Sequence, residues 1–373
     1  MSIPFIDLQS QRQRIEPQIN AAIAKVLAHG QFILGPEVTS FERALASFEN
    51  AKSVIACANG TDALVLSLRA LGVGEGDAVF CPSYTYTATA EAIVLVGASP
   101  VFVDIDRDSY TMSAESLETA INDQLTSGVH NPKAIIAVDL FGHPANYPAL
   151  CPIAQKYDLP LISDNAQSIG SRIGQKSTAE YADITTTSFF PAKPLGCYGD
   201  GGAILLKESG QEKMIRSLAF HGRGTEAYDH DKIGYNSRLD TIQAAILLEK
   251  LAIFEDEIES RNKVADRYAK GLSSVIKSVP SVAKGCRSTW AQYAIEVDER
   301  DRFLSKMREK GLPVAAYYPR PVHEQSAYID YPIVSSGLGE TNRVKNFAAA
   351  LPMHAYLNQN DQDMIINAIH DIV

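Results

Sequence analysis

Three groups of residues with catalytic potential each follow a short apolar run. The segment 59–62 (Asn-Gly-Thr-Asp) follows the run 54–58 and leads into a helical pattern. Thr and Asp at a helix start leave backbone N–H groups free, and glycine allows a ligand to approach the backbone closely, so the segment indicates an anion site. Taken alone, the segment is more typical of an ordinary helix cap.

A carboxylate and a lysine follow two later runs. Asp164 directly follows the run 161–163, and a carboxylate at the end of a buried strand needs a cation or several hydrogen-bond donors to stay ionised. Lys193 follows the run 184–188 and lies in an apolar connection rich in proline and glycine, where desolvation lowers the pKa of an amine toward the nucleophilic range. In isolation, each residue is more often structural or solvated.

The order of the three groups favours one cofactor. An anion site, a buried carboxylate and a buried lysine at strand ends match pyridoxal phosphate, which needs a phosphate site, an acid facing its ring nitrogen and a lysine that binds it covalently. A dinucleotide site is the competing interpretation, but the glycines of 72–76 lack the G-x-G-x-x-G spacing and follow a helical pattern. The histidines lack the spacing of metal ligands, so no metal site is predicted.

The elements that must position these groups alternate in type. Between residues 53 and 206, short apolar runs alternate with helical patterns, which indicates an α/β fold with a mostly parallel sheet and helices on both faces. The last two runs, 184–188 and 203–206, are joined without a helix, which predicts one antiparallel strand. Ligands in such folds bind at the carboxyl ends of the strands.

The remaining chain predicts a second, smaller unit. Two helices are expected in the first fifty residues, and a long helix from about 240 to 268 follows the sheet. Strand and helix patterns then alternate to the C-terminus. We therefore expect a large domain with the N-terminal helices over 1–250 and a small C-terminal α+β domain over 251–373.

Composition excludes several classes of protein. The 373 residues carry a formal net charge of −10, which argues against binding to nucleic acid or to an anionic membrane. The five cysteines are scattered without a C-x-x-C pair, which favours a reducing compartment. The N-terminus lacks the pattern of a signal peptide, and no apolar stretch is long enough to span a membrane. A cytoplasmic location is expected.

Five segments resemble the DegT/DnrJ/StrS family of sugar aminotransferases, in the right order and over nearly the whole chain. They are 32–37 (FILGPE), 59–64 (NGTDAL), 164–167 (DNAQ), 188–193 with Gly201 and Gly202, and 236–240 (NSRLD). The resemblance implies a type I, aspartate aminotransferase-like fold that depends on pyridoxal phosphate. The stretch 188–203 is most similar to the branch that aminates C3 of UDP-2-acetamido-2-deoxy-3-oxo-glucuronate for bacterial surface polysaccharide, including the O-antigen of lipopolysaccharide.

The same resemblance implies roles for single residues around the cofactor. Lys193 would bind the cofactor covalently, and Asp164 would pair with its ring nitrogen. Gln167 would lie near the ring hydroxyl, and Tyr86 would stack on the ring face, although a tyrosine at such a junction is otherwise more often packing. The residues implied for the phosphate are Gly60, Thr61, Asp62 and Ser188, with Asn236 from a second subunit. A homodimer with shared active sites would follow.

The resemblance also implies residues for the sugar substrate. Arg238 would be a bidentate clamp on a carboxylate or diphosphate, a geometry that guanidinium suits, or else it forms a salt bridge with Asp240 or another carboxylate. Tyr317 and Tyr318 would face the substrate, and Tyr317 stands where histidine is common in the family. Ser163 is a second departure, since many members have glutamate there.

The expected reaction is transfer of an amino group, with glutamate as donor, to a UDP-linked keto-sugar. One alternative is amination at C4 of a UDP- or dTDP-4-keto-sugar, because the residue types do not decide the position. Another is a non-catalytic, ligand-sensing regulator with the same fold. A sugar dehydratase is disfavoured, because such relatives are expected to carry histidine in place of Lys193.

Overall fold

The computed structural model describes residues 3–226 and 228–373. The strands are β1 Ser53–Cys57, β2 Asp77–Pro82, β3 Ser99–Val103, β4 Asn131–Val138, β5 Leu161–Asp164, β6 Arg172–Ile173, β7 Lys176–Ser177, β8 Ile184–Ser188, β9 Gly202–Leu206, β10 Cys286–Arg287, β11 Tyr293–Glu296 and β12 Ala348–Leu351. The α-helices are α1 Leu8–Arg14, α2 Glu16–His29, α3 Pro36–Glu49, α4 Gly60–Ala70, α5 Ala88–Leu95, α6 Ala114–Ser127, α7 Tyr147–Lys156, α8 Glu212–Ala219, α9 Thr241–Leu272, α10 Arg300–Glu309, α11 Gly339–Val344 and α12 Gln359–His370.

A seven-stranded sheet forms the centre, in the order β1-β9-β8-β5-β4-β2-β3. Strand β9 runs antiparallel to both of its neighbours, and the other pairs are parallel. This confirms the predicted α/β fold with one antiparallel strand. Apolar side chains of the sheet and of α4, α5 and α6 form the largest buried cluster, so the carboxyl ends of the parallel strands lie on a rigid base.

The N-terminal prediction of two helices was wrong, because the structure has three. Helices α1 and α2 are separated by Ile15 alone, and Pro17 lies in the first turn of α2. Proline is tolerated there because the first helical N–H groups have no intrahelical acceptor. A one-residue break of this kind leaves the apolar pattern nearly continuous. The sequence therefore predicts one helix over the range that holds both α1 and α2.

The long helix α9 connects the sheet to the C-terminal part. Its end contributes Val264, Tyr268 and Leu272 to a second buried cluster, together with β11, β12 and α12. The predicted domain boundary at residue 250 lies inside α9, and the division into two domains stays a prediction. In the chain that the structure describes, no helix combines the length and the apolar character needed to cross a membrane.

Candidate active site

The start of α4 forms a backbone cradle beside β8. Asn59 caps the helix, since its Oδ1 accepts a hydrogen bond from the Asp62 N–H at 2.8 Å. The N–H groups of Gly60 and Thr61 come first in the helix and have no acceptor among the described residues. A Cβ atom at Gly60 would lie 2.7 Å from Cβ of Ser188, so only glycine permits this approach. The four residues implied for a phosphate therefore lie next to one another, and their binding of an anion stays a prediction.

Asp164 and Lys193 act on each other electrostatically. Asp164 is buried at the end of β5, where its Oδ2 accepts from Thr89 Oγ1 at 2.8 Å and its Oδ1 from the Ala166 N–H at 3.2 Å. Burial raises the pKa of Asp164, and the charge of Lys193 opposes that change. Burial lowers the pKa of the Lys193 amine, and the charge of Asp164 raises it in turn. The structure thus brings an amine whose pKa is lowered by burial within electrostatic range of a buried carboxylate.

Helix α9 fixes the connection that carries Lys193. Within this connection, the Lys193 N–H donates to the Phe190 carbonyl at 2.8 Å. The amine of Lys250, on α9, donates to the Gly196 carbonyl at 2.6 Å and lies 4.2 Å from the centre of the Tyr198 ring. These contacts fix the backbone of the connection on the side of α9. In the described residues, no hydrogen bond occupies the Lys193 amine.

A second buried carboxylate lies beneath Asp164. Asp139 follows β4 as Asp164 ends β5, and its N–H donates to the Asp164 carbonyl at 3.0 Å. Four donors contact its carboxylate, namely the Ala145 N–H, the Tyr147 hydroxyl, the Ser163 hydroxyl and the Asn165 amide. Burial nevertheless raises the pKa of Asp139 to about 6. Because Ser163 and Asn165 flank Asp164, this network fixes the backbone on both sides of it.

Replacement of Asp139 by alanine should cost stability. Asp139→Ala leaves three buried donors without their acceptor, while the Asn165 amide keeps its bond to Thr178 at 2.7 Å. We expect the free energy of unfolding to fall by at least ~3 kcal/mol, since each unpaired group costs about 1–3 kcal/mol. Urea unfolding followed by circular dichroism measures this loss. Tyr147→Phe is the matched control, because it removes one donor and keeps the carboxylate, and we expect a loss of about 1 kcal/mol. Equal losses in both variants would contradict the shared-acceptor interpretation.

Gln167 and Tyr318 meet on the other side of the site. Gln167 Oε1 accepts from the Phe141 N–H at 2.8 Å, and its Nε2 donates to the Tyr318 hydroxyl at 3.1 Å. Tyr318 is also within electrostatic range of Asp164 and Tyr86. The side chain of Tyr86 is 58% exposed and so remains accessible to a ligand.

Asn236 and Arg238 form a pair at the edge of the site. The Arg238 guanidinium donates to Asn236 Oδ1 and lies 4.9 Å from the centre of the Phe220 ring. In residues 3–226 and 228–373 it forms no salt bridge, so the predicted alternative of a pair with Asp240 is not observed. Ser237, between the two, accepts from the Ala58 N–H at 3.2 Å, next to the cradle. The role of Asn236 in binding the phosphate in the active site of a second subunit stays a prediction.

Sequence reasoning missed Thr89 and Asp139 as parts of this site. Asp139 follows a buried strand as the segment 59–62 does, so the strand-end criterion that found Asp164 could have found it. Thr89 carries no such signal, because threonine in the first turn of a helix is common and only the fold brings it to Asp164.

Known proteins resemble this chain over its whole length. The profile of the DegT/DnrJ/EryC1/StrS aminotransferase family matches residues 13–370. UDP-2-acetamido-2-deoxy-3-oxo-D-glucuronate aminotransferase of Pseudomonas aeruginosa is 45% identical over 98% of this chain and 99% of that protein. A DegT DnrJ EryC1 StrS aminotransferase from Brucella abortus superposes with a TM-score of 0.97 at 50% identity, over 99% of both chains. NtdA from Bacillus subtilis, with bound cofactor PMP, superposes with a TM-score of 0.89 at 28% identity, over 100% of this chain and 85% of that one.

Proposed function

The chain belongs to the DegT/DnrJ/EryC1/StrS aminotransferase family, and from this premise we propose that it is a pyridoxal-phosphate-dependent aminotransferase of a nucleotide-linked keto-sugar. The observation that carries the proposal is the pair of Lys193 and Asp164 beside the backbone cradle at the start of α4. An amine whose pKa is lowered by burial suits covalent attachment of an aldehyde, and the buried carboxylate within its electrostatic range suits a protonated ring nitrogen.

The residues present fit the cofactor in each of its parts. The free N–H groups of Gly60 and Thr61 suit a phosphate, and the Ser188 hydroxyl lies beside them. Among the residues that the structure describes, two donors contact the Asp164 carboxylate, so it retains the capacity to accept from a protonated ring nitrogen. Lys193 would hold the cofactor covalently. When bound, pyridoxal phosphate supplies an electron sink for the bond electrons released at the carbon of the amino donor.

The protein side chains divide the remaining tasks. With the cofactor bound, the Lys193 amine would also be the base that takes up a proton from the donor carbon and returns it. Asp164 would face the ring nitrogen, and its negative charge would favour the protonated form of that nitrogen. Gln167 presents its amide N–H group on the side of Tyr318, because the Phe141 N–H occupies its carbonyl oxygen.

The substrate proposal takes its detail from the relative in Pseudomonas aeruginosa. We propose C3 of UDP-2-acetamido-2-deoxy-3-oxo-glucuronate as the position aminated, glutamate as the donor, and a cytoplasmic homodimer that supplies bacterial surface polysaccharide. The identity of 45% over nearly the whole chain supports this choice. Amination of a 4-keto-sugar and ligand sensing without catalysis are the alternatives.

A half-reaction tests the function directly. The protein is loaded with pyridoxal phosphate, converted with glutamate, freed of the donor, and mixed with the 3-oxo-uronate or with UDP- and dTDP-4-keto-sugars. Mass spectrometry identifies the aminated sugar, and absorbance follows the return of the lysine-bound cofactor. Amination of the 3-oxo-uronate alone supports the proposal. Amination of a 4-keto-sugar alone would change the substrate, and no turnover with any sugar would favour the regulator.

Arg238 offers a test of substrate class. If its guanidinium binds the uronate carboxylate, Arg238→Ala should lower kcat/KM for the 3-oxo-uronate by about 10–100-fold, the range for a hydrogen bond to a charged group. For a neutral keto-sugar that the enzyme accepts, the change should stay within about 3-fold, because that contact does not exist there. Steady-state kinetics with both sugars measures the difference.

Arg223 provides the matched control for Arg238. Its guanidinium lies over the same Phe220 ring, at 5.5 Å from the centre, and it has no contact with Asn236 among the described residues. Arg223→Ala removes an equal charge from the same region and should leave both substrates unaffected. Equal losses for uronate and neutral sugar in Arg238→Ala would assign Arg238 to the diphosphate instead.

A further inference from the structure

The hydroxyl group of Tyr84 connects two segments of the candidate site that are far apart in sequence. The hydroxyl accepts from the Tyr318 N–H at 3.0 Å and donates to the Tyr317 carbonyl. The ring packs edge-on against the Tyr318 ring, with centroids 5.9 Å apart, and the side chain is fully buried. Tyr84 follows β2 and precedes Tyr86 by two residues. It therefore joins the segment expected at the cofactor ring to the segment expected at the sugar.

A closed network of contacts joins Tyr318 to Tyr84, Gln167 and Phe141. Its hydroxyl accepts from Gln167 Nε2 at 3.1 Å, and Gln167 Oε1 accepts from the Phe141 N–H at 2.8 Å. The Phe141 ring stacks on Tyr318 with centroids 6.4 Å apart and packs edge-on against Tyr84. The backbone of Tyr318 is thus held by Tyr84 and its hydroxyl by Gln167, so both ends of this side chain are fixed.

One hydrogen-bond donor in this network, the Tyr318 hydroxyl, is left for a ligand. The Tyr318 hydroxyl accepts from Gln167, but its own proton has no acceptor in the part of the chain that the structure describes. Tyr318 is half-buried, and its hydroxyl is hydrogen-bonded to Gln167, a residue expected beside the cofactor ring. This hydroxyl already accepts one hydrogen bond, and the contacts described above hold its ring in place. Its proton is therefore available to a ligand that offers an acceptor, such as a carbonyl or hydroxyl oxygen.

We propose that Tyr84 is a positioning residue for the sugar half of the reaction: its hydroxyl holds the Tyr317–Tyr318 backbone so that the Tyr318 O–H points at the nucleotide-sugar. This inference rests on the proposed function. In the described residues the Tyr84 hydroxyl bonds Tyr317 and Tyr318 and neither Lys193 nor Asp164, so we expect the glutamate half of the reaction to depend on it far less than the sugar half. The two half-reactions therefore separate a positioning role from general damage.

Tyr84→Phe removes the hydroxyl and keeps the ring. The Tyr318 N–H and the Tyr317 carbonyl then lose their buried partner, and we expect the affinity for UDP-N-acetylglucosaminuronate, an unreactive analogue with a 3-hydroxyl, to fall by about 10-fold in calorimetry of the cofactor-loaded protein. The rate of the sugar half-reaction should fall by a similar factor. The absorption band of the bound cofactor and the glutamate half-reaction should change by less than about 2-fold.

Tyr110→Phe is the matched control within the same aromatic cluster. The Tyr110 ring lies 6.3 Å from that of Tyr84, and its hydroxyl donates to Glu296 at 2.8 Å without contact to Tyr317 or Tyr318. Both variants lose one buried hydroxyl and should have similarly lowered melting temperatures. Only Tyr84→Phe should weaken binding of the analogue; equal weakening in both, or equal slowing of both half-reactions in Tyr84→Phe, overturns the proposal.

Two further results separate the possible failures. If Tyr84→Phe does not fold, Tyr318→Phe removes the hydroxyl that is proposed to contact the sugar and should lower the affinity for the analogue by about 10-fold; unchanged affinity there contradicts the proposal. If the unmodified protein aminates no nucleotide-sugar and does not bind the analogue, the proposed function itself fails. If the unmodified protein does both and Tyr84→Phe behaves identically, only the role of Tyr84 fails.

Discussion

Lys193→Ala protein mixed with pyridoxal phosphate should lack the absorption band of a lysine-bound cofactor, and its transamination rate should fall by more than about 10³-fold. The loss is large because one amine performs two tasks, covalent attachment and proton movement, and proton transfer alone contributes about 10²–10⁴-fold. Absorbance spectroscopy and single-turnover kinetics with glutamate measure the two effects separately. Circular dichroism verifies that the variant is folded.

Lys250 makes this prediction specific, because it is the other buried lysine near the same connection. Its pKa is lowered to about 8, so pKa alone would make it a candidate nucleophile. Its amine, however, donates to the Gly196 carbonyl at 2.6 Å and faces the Tyr198 ring. Lys250→Met should therefore lose stability and keep the cofactor band. Retention of the band in Lys193→Ala and its loss in Lys250→Met would reverse the assignment.

The central sheet could be predicted from sequence because buried parallel strands are continuous apolar runs. Strand β8 was predicted with its observed ends, and β9 was predicted one residue late. The apolar run 134–138 predicts a strand from Ala134, but β4 begins three residues earlier at Asn131, because Pro132 and Lys133 interrupt the apolar pattern. Strands β6, β7 and β10 have two residues each and leave no periodicity to detect.

The candidate site could be proposed from sequence only where its residues end or follow a strand or start a helix. Asp164, Lys193 and the cradle at Gly60 were proposed in this way, because the topology of a parallel sheet brings strand ends together, and their roles stay predictions. Tyr84, Thr89 and Phe141 contribute through contacts between segments far apart in sequence, such as the 2.8 Å bond from Thr89 to Asp164. No local pattern encodes such contacts. Roles for Asn236 and Arg238 came from resemblance, and they await the experiments above.

Asp164→Asn should keep the covalent attachment of the cofactor and lose most of the reaction rate. The substitution preserves shape, so the Ala166 N–H keeps an acceptor, but it removes the negative charge that would keep the ring nitrogen protonated. We expect transamination to slow by about 10²–10³-fold, the range for removal of one electrostatic stabiliser from an active site. Rapid-mixing absorbance with glutamate measures the rate at saturating cofactor.

The same variant should also shift the titration of Lys193. Because the charge of Asp164 raises the pKa of the Lys193 amine, its removal should lower that pKa, so the rate at which cofactor-free protein captures pyridoxal phosphate should reach its plateau at lower pH. Thr89→Val is the matched control: it removes the donor at 2.8 Å and keeps the carboxylate. It should slow the reaction by less than about 10-fold without the downward shift. A plateau at unchanged or higher pH in Asp164→Asn would show that the two groups do not interact as the structure indicates.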